Sequence, residues 1–150
     1  MTITLVATII ALVLIGLVLL KKKPETNAKF HPKRPLSEPE QILYWKLKTA
    51  LPDHVVLPQI AFSRFLYTKG ATSKENFRKF GSGRQKVADF LICNKSFYIL
   101  AIVELDDSSH NPQRDDARDE ILKEAGLKLF RWKVGQMPTE NEIKKIIMGV

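Results

Sequence analysis

Three acids sit where apolar strands are expected. Asp89 interrupts the run Val87–Cys93 (VADFLIC), and Glu104 lies near the end of Phe97–Leu105 (FYILAIVEL), with Asp106 following. Asn94, Lys95 and Ser96 separate the two runs, so the pattern reads as a hairpin. Glu104 and Asp106 are two apart on a strand and share a face. A four-residue loop, Asn94–Phe97, pairs Cys93 with Tyr98, Leu91 with Leu100, Asp89 with Ile102 and Val87 with Glu104. Asp89 and Glu104 are then diagonal neighbours, roughly 7–8 Å apart at Cα. A slip of one residue would put them on opposite faces. Carboxylates in a half-buried strand cost several kcal/mol unless they are neutralised, hydrogen-bonded or bound to a cation. A hard divalent ion such as Mg²⁺ accepts oxygen ligands and keeps waters for chemistry. The plainer alternative has Asp89 accepting hydrogen bonds from backbone or arginine, and Glu104 ending a strand in solvent. The convergence of three acids on one face favours a site.

The elements around these acids follow from local signals. Ser37-Glu38-Pro39-Glu40 is a capping box with proline in the first turn, and Ile42, Leu43, Leu47, Ala50 and Leu51 recur at helical spacing until Pro52. His54–Phe62 is β-rich but broken by Pro58, which suits an edge strand. Residues 67–86 show no clear period and are expected to lack a regular element. Asn111 and Pro112 open a second helix with Ala117, Ile121, Leu122 and Ala125 as its buried stripe and Gly126 at its end. Leu127–Trp132 reads as a strand and Thr139–Met148 as a closing helix. The expected order is α-β-β-β-α-β-α, an α/β domain with a mixed sheet covered by helices on both faces. Asp115, Asp116 and Asp119 read as acids favoured by the helix dipole, with Arg114 and Arg118 pairing to them.

Composition narrows the class. The 150 residues hold 45% hydrophobic side chains, enough for one packed domain, and a single cysteine, which excludes an internal disulfide, a Cys-rich zinc site or a CxxC redox pair. The net charge of +8 is uneven. Residues 2–20 (TITLVATIIALVLIGLVLL) carry no charge, and at about 1.5 Å per residue a helix of that length matches a bilayer core. Lys21, Lys22 and Lys23 follow at once. The expectation is a single-pass anchor over 1–20, contacting lipid through residues 2–23. The N-terminus would lie outside the cytoplasmic (inner) membrane and the domain in the cytoplasm. Residues 21–36, with three prolines, read as a basic tether, and 37–150 as the domain. A signal peptide fits poorly, because no basic residue precedes the apolar run and no A-x-A-like site follows it.

A second basic stretch lies inside the domain. Arg64, Lys69, Lys74, Arg78, Lys79, Arg84 and Lys86 stand against Glu75 alone, with Phe77 and Phe80 interleaved. Such a segment could grip phosphates and stack a base, or form a solvated loop with its aromatics tucked onto the domain.

Ser37–Glu40, Leu57-Pro58-Gln59-Ile60, Lys86–Phe90, Val103–His110, Arg114-Asp115, Ala125-Gly126 and the strand ending in Arg131 together resemble the motifs of the domain of unknown function 2726 family. The resemblance covers about residues 36–133, and that family in turn resembles the restriction-endonuclease-like nucleases with a PD-(D/E)xK core, near the very-short-patch-repair type. It implies Asp89 and Glu104 as metal ligands on the central hairpin, with Glu40 helping to hold the metal or its waters. Gln59 and His110 would line the same mouth, His110 as a phosphate contact or proton donor. Asp106 stands where that core has a lysine that orients the attacking water or stabilises charge on the phosphate. The resemblance thus implies Mg²⁺-dependent hydrolysis of DNA, with Asp89, Glu104, Asp106 and His110 as catalytic candidates and Gln59 as a substrate contact, to which the basic stretch adds Arg84 and Lys86. Regular alternation puts Lys86 on the face opposite Asp89, so it is no obvious substitute for the lysine. Glu40 is equally explained as a helix cap, Gln59 as a partner for backbone groups at an irregular strand, and His110 as a cap of its loop. The departure at Asp106 supports a rival expectation, a module that kept the fold without the chemistry and holds nucleic acid or a protein partner at the membrane. A plain scaffold domain is the third.

Overall fold

A computed structural model describes residues 5–7, 10–14, 28–106 and 112–149, with side chains from 118 onward in the last stretch. The chain divides into two units, one ending at Lys33 and the other beginning at Arg34. In the first unit the described residues 5–7 and 10–14 are helical, and Leu5, Val6, Ile10, Leu12, Val13 and Leu14 are exposed. The expected anchor falls largely outside the described residues; among those described, no helix is long and apolar enough to cross a membrane.

The second unit is an α/β structure built on one four-stranded mixed sheet. Helix α1 (Glu38–Ala50) starts at the expected box, where the Ser37 amide and hydroxyl each donate to Glu40 Oε2 at 2.6 Å. Strand β1 (Val55–Ala61) runs along one edge of the sheet, where Pro58 breaks no inner ladder. Then come α2 (Ser73–Gly83), β2 (Val87–Cys93), β3 (Ile99–Asp106), α3 (Pro112–Glu124), β4 (Leu129–Lys133) and α4 (Glu140–Met148). The sheet order is β1-β2-β3-β4, antiparallel at the first two pairings and parallel between β3 and β4. A parallel return needs a long crossover, and α3 supplies it. Gly126 follows α3 in the left-handed conformation at φ 70°, as its position after the helix suggested.

Both sheet faces are covered. On one, Val56, Phe90, Ile92 and Val103 meet Leu43 and Leu47 of α1 and Ile143 and Ile147 of α4. On the other, Leu91, Cys93 and Ile102 meet Phe62 and Leu122 of α3. Each such fully buried aliphatic or aromatic side chain contributes about 1.5–3 kcal/mol, which makes the two layers the main stabilising term.

Two sequence expectations are corrected. Residues 67–86 contain α2, which escapes a periodicity reading because only Gly83 among its residues is buried. Its signal is the capping box Thr72-x-x-Glu75, in which the Thr72 hydroxyl donates to Glu75 Oε2 at 2.6 Å and its amide does so at 3.2 Å. The hairpin register also differs by two residues from the expected one. The loop is one residue longer, with the Asn94 amide bonded to Tyr98 O at 3.0 Å and Cys93 paired with Ile99. A β-bulge between Ile92 and Cys93 then moves the pairing on again, to Ile92 with Ala101, Leu91 with Ile102 and Phe90 with Val103. Either displacement alone would turn Glu104 away from Asp89; together they return it to the same face, directly across rather than diagonal.

The loop holds Phe97 at φ 61° with its ring 63% exposed. A left-handed conformation costs a non-glycine residue about 1 kcal/mol, and this ring gains little from packing. Phe97→Gly is therefore expected to stabilise the unit by roughly 0.5–1 kcal/mol, read as a higher urea midpoint at constant slope. A lower midpoint would show that the ring supports the hairpin.

Candidate active site

One polar residue per strand lines up across the whole sheet. Pro58 pairs with Phe90 and Ile60 with Ala88, which puts Gln59 of β1 opposite Asp89 of β2. One step beyond the Phe90–Val103 pair, Asp89 faces Glu104 of β3, and Glu104 pairs with Arg131 of β4. The row Gln59–Asp89–Glu104–Arg131 lies on the side of the sheet that packs Leu57, Leu91, Ile102 and Leu129. Alternation explains this directly, since each member sits two residues from one of those apolar side chains.

Gln59 adopts φ 49°, unusual for a residue with a side chain and a source of local strain at this point of the edge strand. Its Nε2 donates to Glu40 Oε1 at 2.6 Å and makes a long contact of 3.5 Å to Asp89 Oδ1. Glu40 therefore does two things. Oε2 closes the cap of α1, and Oε1 reaches the row through Gln59. Asp89 Oδ2 accepts the Leu105 amide at 2.9 Å, which pins its carboxylate to β3.

Glu104 is the most confined of the set, 2% exposed. Its Oε2 accepts from Arg118 of α3, while Oε1 is buried and has no hydrogen-bond partner among the described residues. A carboxylate beside a guanidinium ordinarily ionises more easily than in water. Here burial, reinforced by the neighbouring charges of Asp89 and Asp106, outweighs Arg118 and Arg131 and pushes Glu104 up to about 8. Asp89 is also raised, first by burial, then by Glu40, against the opposing pull of the Leu105 amide, Arg118 and Gln59. Both acids of the row are thus held toward their protonated forms despite Arg118 and Arg131 beside them.

The arginines are the part that sequence reasoning assigned otherwise. Arg118 pairs with Glu104, and Asp119 accepts from Arg131 at 2.6 Å; the side chains of Asp115 and Asp116 lie outside the described residues. The sequence held the signal. Arg118 stands four residues before Leu122, the buried anchor of α3, and so shares its inward face. Of the other expected site residues, Asp106 adds to the negative field on Glu104. Arg84 ends α2 with its guanidinium 5.9 Å from the Phe77 ring centre. Lys86 is fastened through its backbone to Gly83 and Phe62. His110 lies outside the described residues.

Among the described residues no three of histidine, cysteine, aspartate and glutamate are grouped so as to hold a metal ion. The donor chemistry of the acid pair nevertheless fits a hard divalent cation. Among the described residues Asp89 Oδ1 has only its long contact with Gln59 and Glu104 Oε1 is unsatisfied, and both are carboxylate oxygens. With that geometry in place, the comparisons add a family. The model of one described as protein of unknown function (DUF2726) matches residues 33–149. No curated protein and no solved structure matches the chain.

The raised acids carry a sign for stability. Folded, Glu104 holds its proton to about pH 8; unfolded, it releases it near 4.5. Between those values the folded state binds more protons, so stability falls as pH rises through the window, and Asp89 adds in the same direction. The urea midpoint is expected to drop from pH 5 to pH 8, and Glu104→Gln to flatten that drop. A wild-type midpoint that rises over this range would contradict the electrostatics of the row.

Proposed function

The chain belongs to the DUF2726 family, and on that premise we propose that it is a membrane-anchored, Mg²⁺-dependent nuclease that hydrolyses phosphodiester bonds of DNA, with its globular unit in the cytoplasm. The observation that carries the reading is the placement of Asp89 across from Glu104 on the central hairpin, two carboxylates both raised by burial, Glu104 further by Asp89 and Asp89 further by Glu40. An antiparallel acid-bearing hairpin extended by a parallel strand, with helices on both faces, supports a likeness to the restriction-endonuclease-like fold.

Asp89 and Glu104 would hold the ion, with Glu40 acting on its waters through Gln59. Bound Mg²⁺ supplies a Lewis acid for the scissile phosphate and a water of lowered pKa. The protein's own contributions are positional. The Leu105 amide fixes the Asp89 carboxylate, and Gln59 ties it to the end of α1. Arg118 and Arg131 bring positive charge beside Glu104, the kind of group that Asp106 cannot provide in place of the lysine.

One observation favours the rival, a binding module without catalysis: Arg118 already engages Glu104. Cleavage separates the two. The purified chain is expected to nick plasmid DNA with Mg²⁺ and not with chelator. Asp89→Ala and Glu104→Ala should each lower the rate by about a hundredfold or more, while both variants stay folded by circular dichroism. Activity surviving both substitutions overturns the site; no cleavage with salt-sensitive DNA binding supports the module.

The uncharged residues 2–20, followed by Lys21, Lys22 and Lys23, support the anchor and its orientation. Exposed Leu5, Val6, Leu12 and Leu14 on the described helical residues suit lipid contact. The full chain is expected to resist alkaline carbonate extraction, and a C-terminal reporter should be active only in its cytoplasmic form. Release of the chain by carbonate would contradict the anchor.

A further inference from the structure

Helix α2 presents a face that the acid row does not use. Asn76 and Phe80 are half-buried and Gly83 is buried against Ile121 of α3, so these positions turn inward. Lys74, Phe77, Arg78 and Arg84 recur at the alternate helical spacing and are all exposed. Phe77 is 70% exposed, with the Arg84 guanidinium over its ring at 5.9 Å from the centre. Among the described residues no acid pairs with Lys74, Arg78 or Arg84. The one acid on the helix, Glu75, is turned back to the Thr72 cap, and Glu124 of α3 engages Lys79. The face thus combines three uncompensated cations with a protruding aromatic ring. The chain then leads from Arg84 through Gln85 and Lys86 into the strand that carries Asp89.

We propose that this face of α2 binds a single-stranded segment of nucleic acid, with Lys74, Arg78 and Arg84 on successive phosphates and Phe77 stacked on an unpaired base. Charge complementarity calls for a polyanion, and the proposal rests on the nuclease reading above for the choice of nucleic acid. The ring selects the single strand. A base in a duplex has both faces covered, whereas an exposed phenylalanine flanked by cations is a platform for an unstacked one. An anionic bilayer is the other polyanion on offer. It suits the face less well, because among the exposed positions of this helix face only Phe77 is a large apolar side chain.

The test is fluorescence anisotropy with the full chain in neutral detergent, using labelled oligothymidylate and its duplex with oligodeoxyadenylate, in chelator so that no metal or cleavage is involved. The single strand is expected to bind about tenfold more tightly than the duplex, with a slope of log K against log salt of about −2. Phe77→Ala should cost about tenfold on the single strand and little on the duplex, and Phe77→Trp should restore it. The triple change Lys74→Glu, Arg78→Glu and Arg84→Glu should abolish binding. Equal binding of strand and duplex, or wild-type binding by the triple variant, overturns the proposal. So does hydrogen-exchange protection of α2 by anionic nanodiscs and not by the oligonucleotide. Because hydrolysis is read separately with Mg²⁺, an inactive chain that binds in this way defeats only the nuclease, and an active chain that does not bind defeats only the α2 face.

Discussion

Two carboxylates placed face to face in the interior of a sheet repel one another and are short of solvent, and most of what is particular about this fold follows from holding them there. The Glu104 side chain is among the largest that are fully buried, in a core otherwise made of aliphatic and aromatic groups. A protein that needed only stability would do better with an apolar pair at these positions. Here the surroundings are arranged so that the acids are partly compensated. One oxygen of each is engaged, Asp89 by a backbone amide and Glu104 by an arginine, while among the described residues the other oxygens keep a long contact or none. That half-satisfied state is costly in a packed core, and it is the state in which a cation would find ligands ready.

The topology explains why the compensation comes from where it does. The hairpin brings the two acids together, the parallel return through α3 brings Arg118 above them, and β4 sets Arg131 alongside Glu104. On the other side, the end of α1 reaches the row through Glu40 and Gln59. Four strands and two helices therefore meet at one line of side chains, and the edge strand bends into a left-handed residue at the same place. Strain and unsatisfied charge coincide at the row, which is where function is expected to sit.

Much of this was legible in the residues, for reasons specific to each element. The box Ser37-x-x-Glu40 and the stripe Leu43, Leu47, Ala50 gave α1 its limits, and β2 stood out as an apolar run broken only by Asp89. The acids were visible as interruptions of such runs. What could not be read was the register. It depends on a loop one residue longer than the shortest choice and on a bulge at Ile92–Cys93, and neither leaves a mark in composition. The two displacements cancel in their effect on facing, so the pairing of Asp89 with Glu104 survived an error in the details. Helix α2 was missed because a helix that buries almost nothing has no apolar period, only its cap. The contact of Arg118 with Glu104 is hidden in the sequence by their separation along the chain, with the acids of its own helix standing nearer.

The central claim is that Asp89 and Glu104 share one divalent ion. Because Glu104 keeps its proton to about pH 8, an ion arriving at neutral pH must displace it. Calorimetric titration of the chain with Mg²⁺ at pH 7, in buffers of different ionisation enthalpy, reads both events at once. The account predicts binding accompanied by release of about one proton, with both lost in Asp89→Asn and in Glu104→Gln. Binding without proton release, or binding unchanged by either substitution, would contradict it.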